Sequence, residues 1–250
     1  MLDRIHIILV GTTHPGNIGA AARAMKTMGL SHLMLVRPKV LPNAESFAMS
    51  SGADDILQYA RVCETLDEAV AECVWVAGTS ARSRTIDWPT VTPRQCAGQL
   101  VAEARGAAPV ALVFGCEHSG LSNDELGRCH VHVRIPTRDD FSSLNIAAAV
   151  QVMAYEVFVA SSVDAEELPL SEVAGEYATA GEMELFYCHL EQVLVELDFL
   201  DLQQPRNLMH RLRRLYGRVR PDKNEINILR GILGAMSAAG AGRNHWRRDA

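Results

Sequence analysis

No apolar run in these 250 residues approaches the roughly eighteen that a helix needs to cross a bilayer, so a helical membrane span is excluded. The opening "MLDRIHIILV" lacks the basic start and the small-residue cleavage site of a secretory leader, and a cytoplasmic protein is expected. Paired cysteines are missing too. Cys63, Cys73, Cys96, Cys116, Cys129 and Cys188 are scattered with no CxxC or CxxH spacing. That argues against a zinc site and a disulfide framework, and for reduced, mostly buried thiols. His130 and His132 alternate in "CHVHVRIP" and would face one side of a strand, but no further ligands stand at workable spacing, so no metal is expected. GxGxxG and GK[ST] are absent as well, which removes the dinucleotide and P-loop fingerprints.

A formal net charge of −6 speaks against a nucleic-acid partner until its distribution is considered. From Ser161 to Asp201 there are eleven acidic residues and no Lys or Arg, whereas Arg206 to Arg220, "RNLMHRLRRLYGRVR", holds six arginines and no acid. The net value therefore hides a local basic surface.

Up to about residue 160, apolar runs of strand length alternate with helical patterns. Strands are expected at 5–10, 32–37, 73–78, 110–115 and 131–135, and helices at 17–28, 44–50, 66–72, 93–105, 122–128 and 144–160. This alternation predicts an α/β domain, a mainly parallel sheet with helices on both faces. Residues 161–180 carry Pro, Gly, Ser and acids with weak periodicity and read as an acidic linker. A helical C-terminal extension is expected over 181–250. Phe186, Leu190, Val193 and Leu197 form one helical stripe, Leu208, Leu212, Leu215 and Val219 a second, and Ile226, Leu229, Leu233 and Met236 a third after Pro221. The second stripe, turned inward, leaves the six arginines on the outer arc. They would either pair with the acidic stretch or contact RNA phosphates, with Arg211, Arg213 and Arg214 as the RNA-contact candidates.

Four glycine- or polar-rich turns follow strands. In "GTTHPGNIGAAARAMKTMG", Gly11 to Gly29, Asn17 and Gly19 stand at the start of a helix whose free N–H groups favour an anion, with Arg23 further along. A tight turn, a cap and a solvated charge would explain the same residues. In "ALVFGCEHSGLSNDEL" a strand ends at Gly115, and Glu117 is held at the sheet edge where ligands bind in α/β proteins. Plain turn chemistry explains the glycines but explains an isolated Glu117 less well. In "VRIPTRDDFSSLNIAAAV" the break at Ile135-Pro136 precedes Ser142, Ser143, Leu144 and Asn145, and small residues 147–149 suit either core packing or a dimer face. Finally "GTSARSRTIDWP" places Thr79, Ser80, Ala81, Arg82 and Arg84 after a strand. The arginines there suit an anion or RNA backbone as well as they suit a solvated loop.

Asn17-x-Gly19-x3-Arg23, Gly115-x-Glu117-x2-Gly120-Leu121, and Ile135-Pro136 with Ser143-Leu144-Asn145 resemble, in order and spacing, the three motifs of the SpoU branch of the SPOUT superfamily. Members are S-adenosylmethionine-dependent RNA 2′-O-methyltransferases. The "TSARSR" segment and "LRRLYGRVRP…NILRGIL" are similar to a narrower bacterial branch that acts on tRNA cytidine/uridine 32. The resemblance implies a SPOUT methyltransferase domain over 1–160 with a C-terminal trefoil knot, a homodimer, tRNA as partner and S-adenosyl-L-methionine as cofactor. It also implies that Thr79, Ser80, Ala81, Gly115, Ile135, Ser142, Ser143 and Leu144 line the cofactor pocket. By the same carry-over Asn17, Arg23, Glu117, Ser143 and Asn145 match active-site positions, and Arg82 and Arg84 face RNA. The chain departs from the pattern at Cys116, where relatives usually carry arginine; Cys116 is then either an oxidation-sensitive thiol or a packing residue. The rival reading is a non-catalytic RNA-binding protein on the same fold, against which the joint retention of Asn17, Arg23, Glu117 and Asn145 argues.

Overall fold

The structure, a computed structural model, describes residues 1–80, 89–138, 140, 142–162, 176–203 and 207–243. The chain divides into two compact units, Met1–Ser171 and Glu172–Ala250. The first alternates β1 (Ile5–Val10), α1 (Pro15–Thr27), β2 (His32–Val36), α2 (Ala44–Ser50), α3 (Asp54–Gln58), β3 (Arg61–Cys63), α4 (Leu66–Val70), β4 (Trp75–Thr79), β5 (Thr90–Val91), α5 (Pro93–Glu103), β6 (Val110–Phe114), α6 (Asn123–Leu126), β7 (Val131–Val133) and α7 (Ile146–Ser162). The five expected strands are present: β1 as expected, β2, β6 and β7 shortened by one or two residues, and β4 shifted to 75–79. The two that patterning did not suggest, β3 and β5, are three and two residues long and lie at the sheet edges, too short to carry a period-2 signal. Helix α3 escaped for the same reason of length, five residues.

The strands form one sheet in the order β3-β2-β1-β6-β4-β7-β5, and every pairing is parallel. Parallel strands with both faces covered read as continuous apolar runs rather than alternating ones, as β1 and β6 do. Ile5, Ile7 and Leu9 of β1 enter a core shared with α1, α5 and α7, whereas Ile8 and Val10 are equally buried on the opposite face. Close approach between α1 and α2 depends on Gly19, where a Cβ would stand 2.1 Å from the Ser46 carbonyl oxygen. Any side chain at this position forces the two helices apart.

The second unit contains α8 (Ala180–Glu196), α9 (Leu208–Val219) and α10 (Lys223–Arg243). Met183, Phe186, Tyr187, Leu190 and Val193 of α8 pack with Ile226 and Leu233 of α10. Leu197 and Met236, expected to continue those stripes, are exposed. The inner face of α9 differs from expectation: Met209, Leu212 and Tyr216 pack on the core, while Leu215 and Val219 are exposed. Two contacts set this rotation. Tyr216 meets Phe186 edge to face at 4.9 Å between ring centroids, and the Arg213 guanidinium donates to both carboxylate oxygens of Glu184 at 2.6 and 2.7 Å. Arg213 also lies over the Tyr187 ring, 4.4 Å from its centroid. The expectation that Arg213 stands on an outward arc is thus corrected: it is part-buried in an ion pair within the unit, since a bidentate carboxylate and an aromatic face desolvate a guanidinium at low cost. Arg214 is half-buried, whereas Arg211 and Arg218 are exposed.

Candidate active site at the C-terminal sheet edge

Four neighbouring strands, β1, β6, β4 and β7, deliver their C-terminal ends to the same edge of the sheet. The loops that follow them carry the motifs singled out from sequence. Past β1, Pro15 opens α1, its missing N–H costing nothing at a helix start, and Asn17 falls in the first turn. Past β6, the chain turns back through a bridge between Cys116 and Gly120. Gly115 makes that turn possible, since a Cβ there would lie 2.2 Å from backbone atoms of both Gly120 and Leu121. Its lack of a side chain therefore serves the loop's own closure.

Residues a hundred or more apart in sequence meet here. Asn17 Nδ2 donates to Glu117 Oε1 at 2.8 Å, and Asn145 Nδ2 donates to Asn17 Oδ1 at 2.9 Å. Asn145 Oδ1 in turn accepts the backbone N–H of Ala147 at 2.9 Å, capping α7. Both ends of this chain fix the amide orientations: an ionised carboxylate only accepts and a backbone N–H only donates, so each amide has one arrangement. Thr13 adds two donors to Glu117 Oε2, its backbone N–H at 3.2 Å and its hydroxyl at 3.0 Å. Burial alone would push the Glu117 carboxyl up, but the hydrogen bonds from Asn17, from the Glu117 backbone and from Thr13 outweigh it and hold the group below the usual carboxylate range.

Beside Glu117 is a cavity lined by Thr79, Ser80, Gly115, Ile135, Ser142, Ser143 and Leu144, with Phe114, Val133 and Ile146 completing its apolar wall. Cys116, His118 and Ser119 also line it; Cys116 stood out in the sequence only as a departure from the usual arginine, and His118 and Ser119 only by their place between Gly115 and Gly120. Cys116 Sγ is hydrogen-bonded to Ser119 Oγ at 3.0 Å. Burial raises that thiol's pKa, yet bonds from Ser119 and from the His118 and Ser119 backbone leave it lowered. Cys73, Cys96 and Cys129, by contrast, are pushed up to about 12 by burial. Arg23 stands apart from the Glu117 network: it is exposed and donates to Ser51 Oγ at 3.3 Å, just past α2. Ala81, Arg82, Arg84 and Arg206 lie outside the described residues. His130 Nδ1 accepts the Val76 N–H and His132 Nε2 contacts the Leu126 carbonyl, so both rings are engaged with backbone. Among the described residues no cluster of three or more potential ligands could hold a metal ion, and no helix is long and apolar enough to cross a membrane.

A parallel sheet that gathers its loops around one cavity, beside a carboxylate locked by amides, is an enzyme domain of the α/β class, here with solved relatives among methyltransferases. The crystal structure of TrmJ from Z. mobilis ZM4 is similar at a TM-score of 0.80 and 34% identity, covering 92% of this chain and 98% of that one. A probable methylase family protein from Haemophilus influenzae Rd KW20 is 43% identical with a TM-score of 0.62, covering 96% of this chain and 98% of that one. The chain belongs to the SpoU rRNA methylase family, whose profile residues 4–155 match, and residues 181–245 match the tRNA methyltransferase TrmJ C-terminal domain. A relative from Pseudomonas aeruginosa strain UCBPP-PA14, a tRNA (cytidine/uridine/adenosine-2′-O-)-methyltransferase TrmJ, is 50% identical over the full length of both chains.

Proposed function

We propose that this protein is an S-adenosylmethionine-dependent tRNA methyltransferase that modifies a ribose 2′-hydroxyl, with cytidine or uridine 32 of the anticodon loop as its target. The observation that carries the reading is the Glu117–Asn17–Asn145 chain, whose Glu117 lines a cavity shared with seven of the eight expected cofactor residues. Full-length similarity to a tRNA 2′-O-methyltransferase supports the substrate class. Nucleoside mass spectrometry of tRNA from a deletion strain and a complemented strain tests it: 2′-O-methylcytidine or 2′-O-methyluridine should vanish and return. Unchanged nucleosides would sink the proposal.

The cavity suits the cofactor. Phe114, Val133, Ile135, Leu144 and Ile146 offer apolar walls for a purine, and the hydroxyls and peptide groups of Thr79, Ser80, Ser142 and Ser143 offer polar partners for its edges and ribose. When bound, S-adenosylmethionine supplies a sulfonium methyl that a ribose 2′-oxygen displaces in line. The chain's own task is alignment and charge. Asn17 and Asn145 each commit one amide N–H to the network, and this reading assigns the second N–H of each to the substrate. Arg23, which stands apart from the Glu117 network on α1, acts in this reading by binding the phosphate next to the target and polarising the hydroxyl, whose proton leaves to phosphate or water.

The reading assigns 1–160 to the methyltransferase domain, 161–180 to a linker and 181–250 to a tRNA-binding extension. It includes the trefoil knot, supported by the insertion of β7 between β4 and β5, two strands consecutive in the chain. It also includes a homodimer, supported by the exposed Ala148, Tyr155 and Phe158 on one side of α7. Sedimentation at micromolar concentration should give a dimer, and an active monomer would contradict it. On the extension, the exposed arginines divide from the paired one. Arg211→Ala with Arg218→Ala should weaken tRNA binding alike across sequences and flatten the log affinity against log salt slope by somewhat under about two units, without lowering Tm. Arg213→Ala should instead destabilise the unit by about 1.5–3 kcal/mol, because it leaves the Glu184 carboxylate without its two charge-assisted hydrogen bonds. A reversed pattern would return Arg213 to the RNA surface.

A further inference from the structure

We infer that Thr13 is a positioning residue for this site: its hydroxyl holds the Glu117 carboxylate in the orientation that aims Asn17. The inference rests on the methyltransferase reading above. Parallel pairing of β1 with β6, in which Leu9 is opposite Phe114, sends Thr13 and Glu117 out of the same sheet edge on adjacent strands. Oε2 of Glu117 then receives both Thr13 donors, while Oε1 receives Asn17 Nδ2 and, at 3.4 Å, a second branch of the Thr13 N–H bond. A carboxylate has about four lone-pair sites, and these three donors from two directions define its plane.

The backbone N–H of residue 13 survives any substitution except proline, so the hydroxyl is what threonine itself contributes. Its β-branch restricts χ1 and keeps that hydroxyl in place. Without it, the Thr13 side of the carboxylate is held only by the forked backbone N–H, at 3.2 Å to Oε2 and 3.4 Å to Oε1, so the carboxylate is freer to rotate and the Asn17 amide that ends on Oε1 rotates with it. Asn145, bonded to Asn17, transmits the error to the cap of α7, whose first turn contributes Ile146 to the cavity wall. The Thr13 hydroxyl also contributes to the depression of the Glu117 pKa, after Asn17, the Glu117 backbone and the Thr13 N–H.

Thr13→Val and Thr13→Ser, compared with the native full-length chain, test the inference. Titration of Glu117 by carbon-13 NMR of glutamate-labelled protein, assigned with Glu117→Gln, should show its pKa raised in Thr13→Val and native in Thr13→Ser. Methyl transfer to tRNA should fall about tenfold in kcat for Thr13→Val, with KM for S-adenosylmethionine within about threefold, and Thr13→Ser should restore kcat to within about twofold. Thr13→Ala makes the same deletion if valine disturbs the turn. An unmoved titration, an unmoved kcat, or equal losses in the Val and Ser variants would each overturn the assignment. If the native protein transfers no methyl group, the functional reading fails, and the titration still decides the role of Thr13: raised in Thr13→Val retains it, unmoved removes it.

Discussion

Arg23→Ala is expected to lower kcat for tRNA methylation by about 10²–10³-fold, the range seen when one preorganised donor to developing charge is removed. Affinity for S-adenosylmethionine should stay within a few fold, because Arg23 lines no part of the cavity and its guanidinium donates to Ser51 Oγ outside it. Stability should change by no more than about 0.5 kcal/mol, as for other exposed positions. Arg23→Lys should not rescue, since an ammonium cannot grip a phosphate with two parallel N–H groups. Single-turnover methyl transfer by both variants, calorimetric binding of S-adenosylhomocysteine and melting curves check these four expectations. Loss of cofactor binding equal to the loss of rate would show that the guanidinium serves the cofactor pocket and not the ribose.

Glu117→Gln is expected to be almost as damaging, about 10²-fold in kcat, because it misplaces Asn17 by reversing a hydrogen bond. Thr13 N–H, Thr13 O–H and Asn17 Nδ2 all donate to the present carboxylate. A glutamine offers an oxygen to one side only and sets its own NH₂ against donors on the other, at a cost of about 1–3 kcal/mol. The pH dependence has a definite sign. Burial pushes the folded-state pKa of Glu117 up, but the hydrogen bonds from Asn17, from its own backbone N–H and from Thr13 more than reverse this, so the folded value lies below the unfolded one. The stability gained is therefore fully present above the ordinary carboxylate range and is lost as pH falls through the depressed folded value. Melting curves of the native protein and Glu117→Gln should consequently differ most near neutrality and converge in acid. A difference in Tm that stays constant on acidification would mean that the Glu117 charge contributes nothing to the folded state.

Where the chemistry-bearing loops begin was legible in the sequence because each follows a strand-length apolar run and is punctuated by glycine or proline, as at Gly11, Gly115 and Pro136. Such runs and breaks are local and survive without tertiary information. The same reasoning located the helices of the C-terminal extension and failed on the rotation of α9. Met209, Leu212 and Tyr216 and the rival Leu208, Leu212, Leu215 and Val219 both satisfy a 3.6-residue period, and only the Phe186 ring and the Glu184 carboxylate opposite select between them.

The residue types at the site, and their order along the chain, were determined by the sequence itself: a lone glutamate after a buried strand, and asparagines at two helix starts. Tertiary structure alone decided that Glu117 accepts from Asn17 and Thr13, that Asn145 closes the chain, and that Arg23 lies elsewhere on α1. Those contacts depend on β6 inserting beside β1 across a hundred residues of intervening chain. Strand order follows from how helices and loops of the whole domain can cover both sheet faces at once. No local pattern encodes that, because a buried parallel strand presents the same apolar run wherever in the sheet it lies.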